Sequence, residues 1–417
     1  MFISEPDGPA TYLATFRPGN DRLPLFVRSL LSRPDLAARV KALQFFPLSD
    51  TEPRSQDPDA VLQQASGSLG LDLSFQMSVM TNRHATFANI CLRHVVILLC
   101  PNLSTLLVTG DFFSNFGGSI CKKSGRTLPL LHTVGLVSTN GKGNLSGVDK
   151  FLSVCAPNVE ALYVADLVYT SRPYYLLYTL EPKWQLTLRN IRRLVVSDID
   201  PVGLSSLIRS CPQIRDLQYT HHGLSNRNPT SNDSLAQCRQ VMQAIQPLRK
   251  SLRRLSLVVM DGADPRGNLL DLPTIDSLRH FERLEKLAVS QAHIYPFSFT
   301  PSPSGRGLME LLPRSIKELH FLYVFRDFGV DMEVLAREAT EELPNLRSLR
   351  VSLHSIGEEV DADPDDMFPF NADWGNDMDG LCEAAGVSWG WERGSPVGMR
   401  GRDPFPRETI LSPSFVA

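Results

Sequence analysis

A short apolar phrase recurs along this 417-residue chain. It reads as a large apolar residue, two variable residues, a central anchor that is nearly always leucine, one variable residue and a second large apolar residue. The central anchors occupy positions 43, 106, 134, 162, 194, 217, 255, 287, 319 and 349. The first step is 63 residues and the later steps are 23 to 38, so the spacing indicates an internal repeat. The long first step leaves room for one degenerate repeat or for a long insertion.

The residues in front of these phrases repeat as well. Four copies of a turn-like flank precede a phrase: Leu99-Cys-Pro-Asn-Leu103, Val154-Cys-Ala-Pro-Asn-Val159, Ser210-Cys-Pro-Gln-Ile214 and Glu342-Leu-Pro-Asn-Leu346. Upstream of two of them, apolar residues follow at i, i+3, i+4 and i+7, which is the spacing of one face of a helix. The cysteine packs as a small apolar residue on that face, and the proline ends the helix. Each unit is therefore predicted to run strand, turn, helix, turn.

A unit of this kind cannot bury its apolar faces alone and must stack on its neighbours. We therefore predict an α/β fold: a leucine-rich-repeat solenoid, curved as an arc or horseshoe, with a concave parallel β-sheet and convex helices. The alternative is a doubly wound α/β domain, in which strands and helices also alternate. Open sheets rarely exceed about ten strands, which favours the solenoid.

The repeat pattern divides the chain into five predicted regions. Residues 1–32 form an N-terminal segment, and residues 33–356 form the repeat array, with insertions at 49–82 and 292–307. Residues 357–379 are an acidic loop: nine acids and no Lys or Arg lie between Glu358 and Asp379. Residues 380–392 are a C-terminal cap, in which Leu381–Ala385 is a helix and Val387–Trp391 a strand. Residues 393–417 are predicted to be a disordered tail.

Composition and charge narrow the function classes. The formal net charge is −3, which disfavours nucleic acid as a partner. The first residues contain no secretory signal, and the most apolar run, Ile90–Val108, is interrupted by Arg93, His94 and Pro101, so no membrane partner is expected. Seven cysteines are too few for a disulfide scaffold of this length. We expect a reduced protein of the cytoplasm or nucleus.

The motifs that could carry chemistry are incomplete. Gly141-Lys142-Gly143 does not satisfy the phosphate-binding loop pattern, and Asp361-x-Asp363-x-Asp365 lacks the glycine and glutamate of a calcium loop. Cys211, His221, His222 and Cys238 fit no zinc spacing. We therefore expect no enzymatic activity, no catalytic residues, no cofactor and no metal.

In the predicted strands, the residue between the last two anchors and the residue after them face the concave surface. These pairs are Gln44 and Phe46, Tyr163 and Ala165, Val195 and Ser197, Gln218 and Thr220, Ser256 and Val258, Ala288 and Ser290, His320 and Leu322, and Arg350 and Ser352. The surface is mixed and has no basic stripe, so it suits a protein or peptide partner. Tyr163, Gln218, His320 and Arg350 are the predicted contact residues, because tyrosine and arginine often anchor interfaces.

The Cys-Pro-Asn flank and its phrase resemble the leucine-rich repeats of F-box proteins, especially the divergent set of filamentous fungi. The segment from Leu23 to Leu43, with Arg33-Pro34-Asp35-Leu36 at its centre, is similar to the stretch that follows the F-box there, where a helix leads into the first repeat strand. The F-box module itself is not visible, since residues 1–22 hold no Leu-Pro-x-Glu phrase. The resemblance implies the substrate-recognition subunit of a cullin-type ubiquitin ligase, bound through a Skp-type adaptor. One alternative is a stand-alone repeat scaffold with no link to a ligase, and another is an enzyme whose site carries no recognised motif.

Overall fold

The structure is a computed structural model of the chain. It describes residues 12–16, 23–45, 58–71, 84–109, 124–137, 148–165, 188–197, 199, 201–221, 240–259, 275, 277–291, 294, 307–324, 329–353 and 372–393. The predicted features at Phe46, at Gly141–Gly143, at Asp361–Asp365, at His222 and Cys238, in most of 292–307 and in the tail after Arg393 lie outside these residues.

All ten copies of the repeated phrase form strands, which confirms the predicted elements. Two further strands lie before and after them. In chain order the strands are β1 (Tyr12–Phe16), β2 (Val40–Phe45), β3 (Thr105–Thr109), β4 (Thr133–Val137), β5 (Ala161–Ala165), β6 (Arg193–Ser197), β7 (Asp216–His221), β8 (Arg254–Val259), β9 (Lys286–Ser290), β10 (Glu318–Val324), β11 (Ser348–Leu353) and β12 (Ser388–Arg393).

Helices connect the strands. They are α1 (Leu23–Ser32), α2 (Pro34–Arg39), α3 (Pro58–Leu69), α4 (His84–Leu99), α5 (Val148–Val154), α6 (Pro201–Ser210), α7 (Gly307–Leu311), α8 (Gly329–Glu342) and α9 (Ala372–Ala384). Residues 240–245 are also helical and continue into the 3₁₀ turn Gln246–Leu248. The predicted helical face is confirmed in α5 and α6, where Phe151, Leu152, Leu204 and Leu207 are buried, and Cys155 and Cys211 are buried just beyond the helices.

The strand order separates the two fold predictions. The twelve strands follow one another in the sheet in chain order, and the neighbours whose register is resolved are parallel. A doubly wound sheet would reverse its strand order at a switch point. The α/β repeat architecture is thus confirmed, with a parallel sheet to which each repeat adds one strand.

The chain divides into two compact units. The first holds Met1–Val195 and Arg209–Gln213, and the second holds Val196–Ile208 and Ile214–Ala417. In the first unit, anchors Leu43, Leu106, Val134 and Leu162 are partners across successive strand pairs. In the second unit, Leu217, Leu255, Leu287, Leu319 and Leu349 are partners in the same way. Every one of these side chains is buried, so each unit has a ladder of apolar anchors as its core.

The long first step is an insertion rather than a hidden repeat. Strand β2 pairs directly with β3, with Leu43 opposite Leu106. Part of the insertion contributes to the core: α3 has the buried face Val61, Leu62 and Ala65 and packs against α1 and α4. Glutamine, serine and glycine dominate the exposed side of α3, so its sequence shows only a weak helical pattern.

Asparagine side chains join successive repeats. Asn158 Nδ2 donates to the backbone oxygen of Pro129, 2.9 Å away, and Asn345 Nδ2 donates to that of Arg314, 3.0 Å away. Asn102 does the same to Ala38. The asparagine of the repeated flank therefore satisfies a carbonyl of the preceding repeat, which gives this polar residue a structural role.

The ends of the array differ from the predicted boundaries. Strand β1 lies within the predicted N-terminal segment 1–32 and pairs in parallel with β2, so the sheet begins before residue 33. At the other end, the predicted cap is present, since α9 is followed by β12 on β11. Helix α9 begins at Ala372, so the last part of the predicted acidic loop is helical.

Candidate functional site

The sheet face opposite the anchors carries the predicted contact residues. We call it the non-core face, and in the second unit it holds Gln218, Ser256, Ala288, His320 and Arg350, one on each of β7 to β11. Each residue of this set is the register partner of the next. Neighbouring strands lie about 4.8 Å apart, so the row spans about 19 Å. The structure thus brings three of the four predicted contact residues together in one row.

Exposure on the non-core face changes along the strands. Two positions further along each strand, the next residues of this face are nearly buried: Thr220, Val258, Ser290, Leu322 and Ser352. In the row itself, Gln218 and His320 are half-buried and Arg350 is exposed. In β7 to β11, the second of the two predicted positions is therefore closed to a partner. The accessible part of the face lies toward the starts of the strands.

The side chains of the row are held in place by their neighbours. His320 Nε2 and Ser352 Oγ share a hydrogen bond of 2.7 Å between β10 and β11. Ala288 packs against Val258 and Leu322, which form a small apolar cluster of this face. Arg350, the register partner of His320 on β11, is exposed. The row thus offers an amide, an imidazole and a guanidinium on a fixed backbone.

Tyr163, the fourth predicted contact residue, lies in the first unit. It is only 8% exposed, and the Arg193 guanidinium lies over its ring, 5.6 Å from the centroid. Burial raises the pKa of its hydroxyl, while the charge of Arg193 opposes that rise. Gln44 and Leu107, at equivalent positions of β2 and β3, are also buried. The described part of the non-core face in the first unit therefore presents little of these side chains to a partner.

Charged residues at the beginning of the strands form ion pairs between neighbouring strands, and the sequence analysis did not predict them. Arg254 forms a two-point ion pair with Asp216 of the preceding strand, with Nε 2.7 Å from Oδ1. That hydrogen bond raises the pKa of Arg254. Lys286 Nζ lies 2.9 Å from Glu318 Oε1, and Lys317 Nζ lies 3.2 Å from Glu285 Oε1. The signal was visible in the two variable residues that precede each anchor.

Just before the strands, a second row of charges follows the same register. We call it the strand-start edge, and it consists of Arg215, Arg253, Glu285, Lys317 and Arg347. The backbone N–H groups of Arg253 and Arg254 both donate to the oxygen of Arg215, at 2.7 and 3.0 Å. The backbone oxygens of Arg253, Glu285 and Lys317 likewise each accept two hydrogen bonds from backbone N–H groups of the next repeat. Within the described residues, Arg215, Arg253 and Arg347 are exposed and form no ion pair.

A groove of about 570 Å³ lies beside the C-terminal cap. Asp379 and Glu383 line one side of it, and Ser388 and Trp389 line the other. The ring of Trp389 meets that of Trp374 edge to face, with centroids 5.7 Å apart. Trp391, on the same strand as Trp389, is 37% exposed. The groove is an open feature at the last strand of the sheet.

Four of the described thiols are unsuited to nucleophilic chemistry. Burial raises the pKa of Cys91, Cys100 and Cys211 to about 12. Burial and the nearby Asp379 raise that of Cys382 to about 11. Such thiols stay protonated at neutral pH and are poor nucleophiles. Among the residues with described placement, no three His, Cys, Asp or Glu side chains lie close enough together to share a metal ion.

Over the described ranges, the helices all fall short of the length and apolar character that crossing a bilayer requires. A comparison with protein-family models found no match, and a comparison with curated proteins found none.

Proposed function

We propose that this chain is a non-enzymatic protein-binding module that holds its partner through the row Gln218, Ser256, Ala288, His320 and Arg350 of the non-core face. The observation that carries the proposal is the register that lines up these side chains on five neighbouring strands. A row about 19 Å long on a rigid backbone matches the extent of an extended peptide of about six residues.

The chemistry of the row supports a protein partner. Ser256 and Ala288 are small, so a partner backbone approaches the sheet closely between Gln218 and His320. The amide and imidazole offer hydrogen bonds, and Arg350 offers five N–H donors in a planar fork. A mixed surface with an arginine anchor is typical of protein interfaces.

The test is site-specific photo-cross-linking in cells that express the chain. A photoreactive residue at Gln218 should capture a partner, whereas one at exposed Gln243, on the helical residues 240–245, should not. Purified partner should then bind the Arg350→Glu variant at least tenfold more weakly. Arg337→Glu, an exposed change on α8, is the matched control and should bind as the unchanged chain does. Equal weakening by both variants would contradict the proposal.

The resemblance to F-box repeat proteins supports a substrate-recognition role in a cullin-type ubiquitin ligase, with the row taking the substrate. Co-purification with a Skp-type adaptor tests this role. No adaptor at any expression level would remove the ligase and leave the partner-binding proposal intact.

One observation favours the alternative, a stand-alone repeat scaffold with no ligase link. Strand β1, at Tyr12–Phe16, joins the sheet as a repeat strand next to β2. Residues 12–16 therefore belong to the sheet and not to a helical adaptor-binding module. A scaffold of this kind would bind the partner captured at Gln218 and would ignore the Skp-type adaptor.

A further inference from the structure

We infer that the strand-start edge of the second unit binds an acidic segment of the protein partner, with Arg215 and Arg253 as the principal carboxylate ligands. The inference deepens the proposed function and rests on it, because this edge borders the row from Gln218 to Arg350. It assigns a chemical class to the partner, which the row alone does not.

The first observation is a pair of like charges on adjacent repeats. Arg253 follows Arg215 directly along the edge, and their backbones are joined by a hydrogen bond of 2.7 Å. Both side chains are exposed. Two guanidinium groups on neighbouring repeats repel each other, and a carboxylate between them gains from both. Arg249 and Lys250, in the turn before β8, are exposed as well.

The second observation is that the surrounding charges are already paired. Asp216 is occupied by Arg254, Glu285 by Lys317, and Glu318 by Lys286. No described acid forms an ion pair with Arg215, Arg253 or Arg347. Bidentate pairing with a carboxylate is the strongest interaction that an exposed guanidinium offers, and here it is unused within the described chain.

The spacing of the charges describes the ligand. Along the edge the signs run positive, positive, negative, positive, positive from Arg215 to Arg347. The ends are four strand spacings apart, about 19 Å. An extended peptide of six residues covers about 20 Å. Because Lys317 pairs with Glu285, the cations left for a ligand within the described chain are Arg215 and Arg253 at one end and Arg347 at the other. The complementary segment therefore carries acids at both ends and uncharged residues in the middle.

The acidic residue in the middle of the strand-start edge favours a peptide over nucleic acid. A phosphate backbone carries one negative charge at every step and would meet Glu285 in the middle of the edge and exposed Glu282 in the turn before β9. A peptide places its carboxylates only where the arginines lie. The formal net charge of −3 points the same way.

The experiment measures fluorescence anisotropy of a fluorescein-labelled peptide with the core Glu-Glu-Ser-Ser-Glu-Glu against the full chain. The peptide should bind, and an otherwise identical Gln-Gln-Ser-Ser-Gln-Gln peptide should bind at least tenfold more weakly. Affinity for the acidic peptide should fall as salt rises, because the contacts are exposed ion pairs. Equal binding of the two peptides would overturn the inference.

The variants test the residues. Arg215→Glu with Arg253→Glu should weaken the acidic peptide at least tenfold. Arg28→Glu with Arg39→Glu, which changes the net charge equally on exposed positions of the first unit, should leave it within twofold. An equal loss in both double variants would show general attraction to charge and would refute the site. Tighter binding of single-stranded DNA than of the acidic peptide, with the same dependence on Arg215 and Arg253, would refute the assignment to a protein segment.

The repulsion between Arg215 and Arg253 can also be tested without a ligand, by measuring the thermal stability of one variant. Arg215→Glu places opposite charges on neighbouring repeats, so its melting temperature should rise above that of the unchanged chain. A fall would show that the two guanidinium groups do not repel each other and would count against the edge. If the partner captured at Gln218 binds the edge variants normally, the edge inference fails and the proposed function stands. If nothing is captured at Gln218 but the acidic peptide depends on the edge, the row fails and the edge stands.

Discussion

Leu217 lies directly opposite Leu255 across the parallel strands β7 and β8, and each side chain is 2% exposed. The same position continues through Leu287, Leu319 and Leu349 in the following strands. Each anchor therefore covers the next, and the core of the second unit is built from contacts between residues about thirty positions apart in sequence.

Replacing Leu217 by Asp should unfold the second unit. The carboxylate would stand without a partner between Tyr219 and the neighbouring anchors, and an unpaired buried charge costs about 3–5 kcal/mol. Thermal unfolding followed by circular dichroism measures the loss. The control is Gln218→Asp, one residue further on the half-buried non-core face, which should cost less than about 1 kcal/mol. Equal melting curves for Leu217→Asp and the unchanged chain would contradict the repeat register.

Replacing Tyr219 by Phe should lower the free energy of unfolding by about 1–2 kcal/mol. The hydroxyl of Tyr219 donates to the backbone oxygen of Ile199 over 3.0 Å in a buried position, and phenylalanine removes this hydrogen bond. Tyr163→Phe is the matched control, because phenylalanine keeps the ring that the Arg193 guanidinium contacts. Chemical denaturation should separate the two variants, and a smaller loss for Tyr219→Phe than for Tyr163→Phe would contradict the assignment.

The stability of the first unit should fall as the pH drops from about 6.5 to about 4. His94 in α4 is fully buried, and this burial lowers its pKa to about 4, with the adjacent charge of Arg93 as a further cause. Its Nδ1 donates to the oxygen of Ile90, 2.7 Å away, as expected for a neutral ring. The unfolded chain binds a proton in this pH range and the folded chain does not, so the folded state loses up to about 3 kcal/mol.

The measurement is the midpoint of urea unfolding as a function of pH. A His94→Gln variant has no titrating ring, so its stability should depend less steeply on pH between 4 and 6.5. Well above pH 6.5 the stabilities of the variant and of the unchanged chain should depend on pH equally, because His94 is then neutral in both the folded and the unfolded chain. Identical slopes over the whole range would show that His94 is charged in the folded chain.

The buried cysteines should react slowly with alkylating reagents. Cys91, Cys100, Cys155, Cys211 and Cys382 are buried, and the pKa of four of these thiols is raised to about 11 or 12. In a variant that lacks the other two cysteines, Cys121 and Cys238, native protein should take up no label at pH 8 in the time that urea-unfolded protein is fully labelled. Rapid labelling of Cys211 in the native variant would contradict its place in the core.

Sequence reasoning predicted the strands because alternation and helical spacing are local properties. Each copy of the phrase marks its own strand, and each run such as Leu204, Leu207 and Ile208 marks its own buried helix face. It missed β1, because Ala14 occupies the anchor position opposite Leu43 in place of a leucine. It also missed most of α9, because its many acidic residues hide the helical pattern. The asparagine of the flank was visible, but its acceptor lies in another repeat.

The candidate site shows the same division. The pattern placed Gln218, His320 and Arg350 on one face, because residues alternate across a strand whatever surrounds it. It could not tell that Thr220 and Leu322 of that face are buried, that Tyr163 lies under Arg193, or that Arg254 pairs with Asp216 while Arg253 does not. The amino-acid sequence by itself determined which residues form strands and which side of each strand joins the core. Only the tertiary structure decided which charges meet and which side chains stay exposed, because these depend on the register between repeats that are separated along the chain.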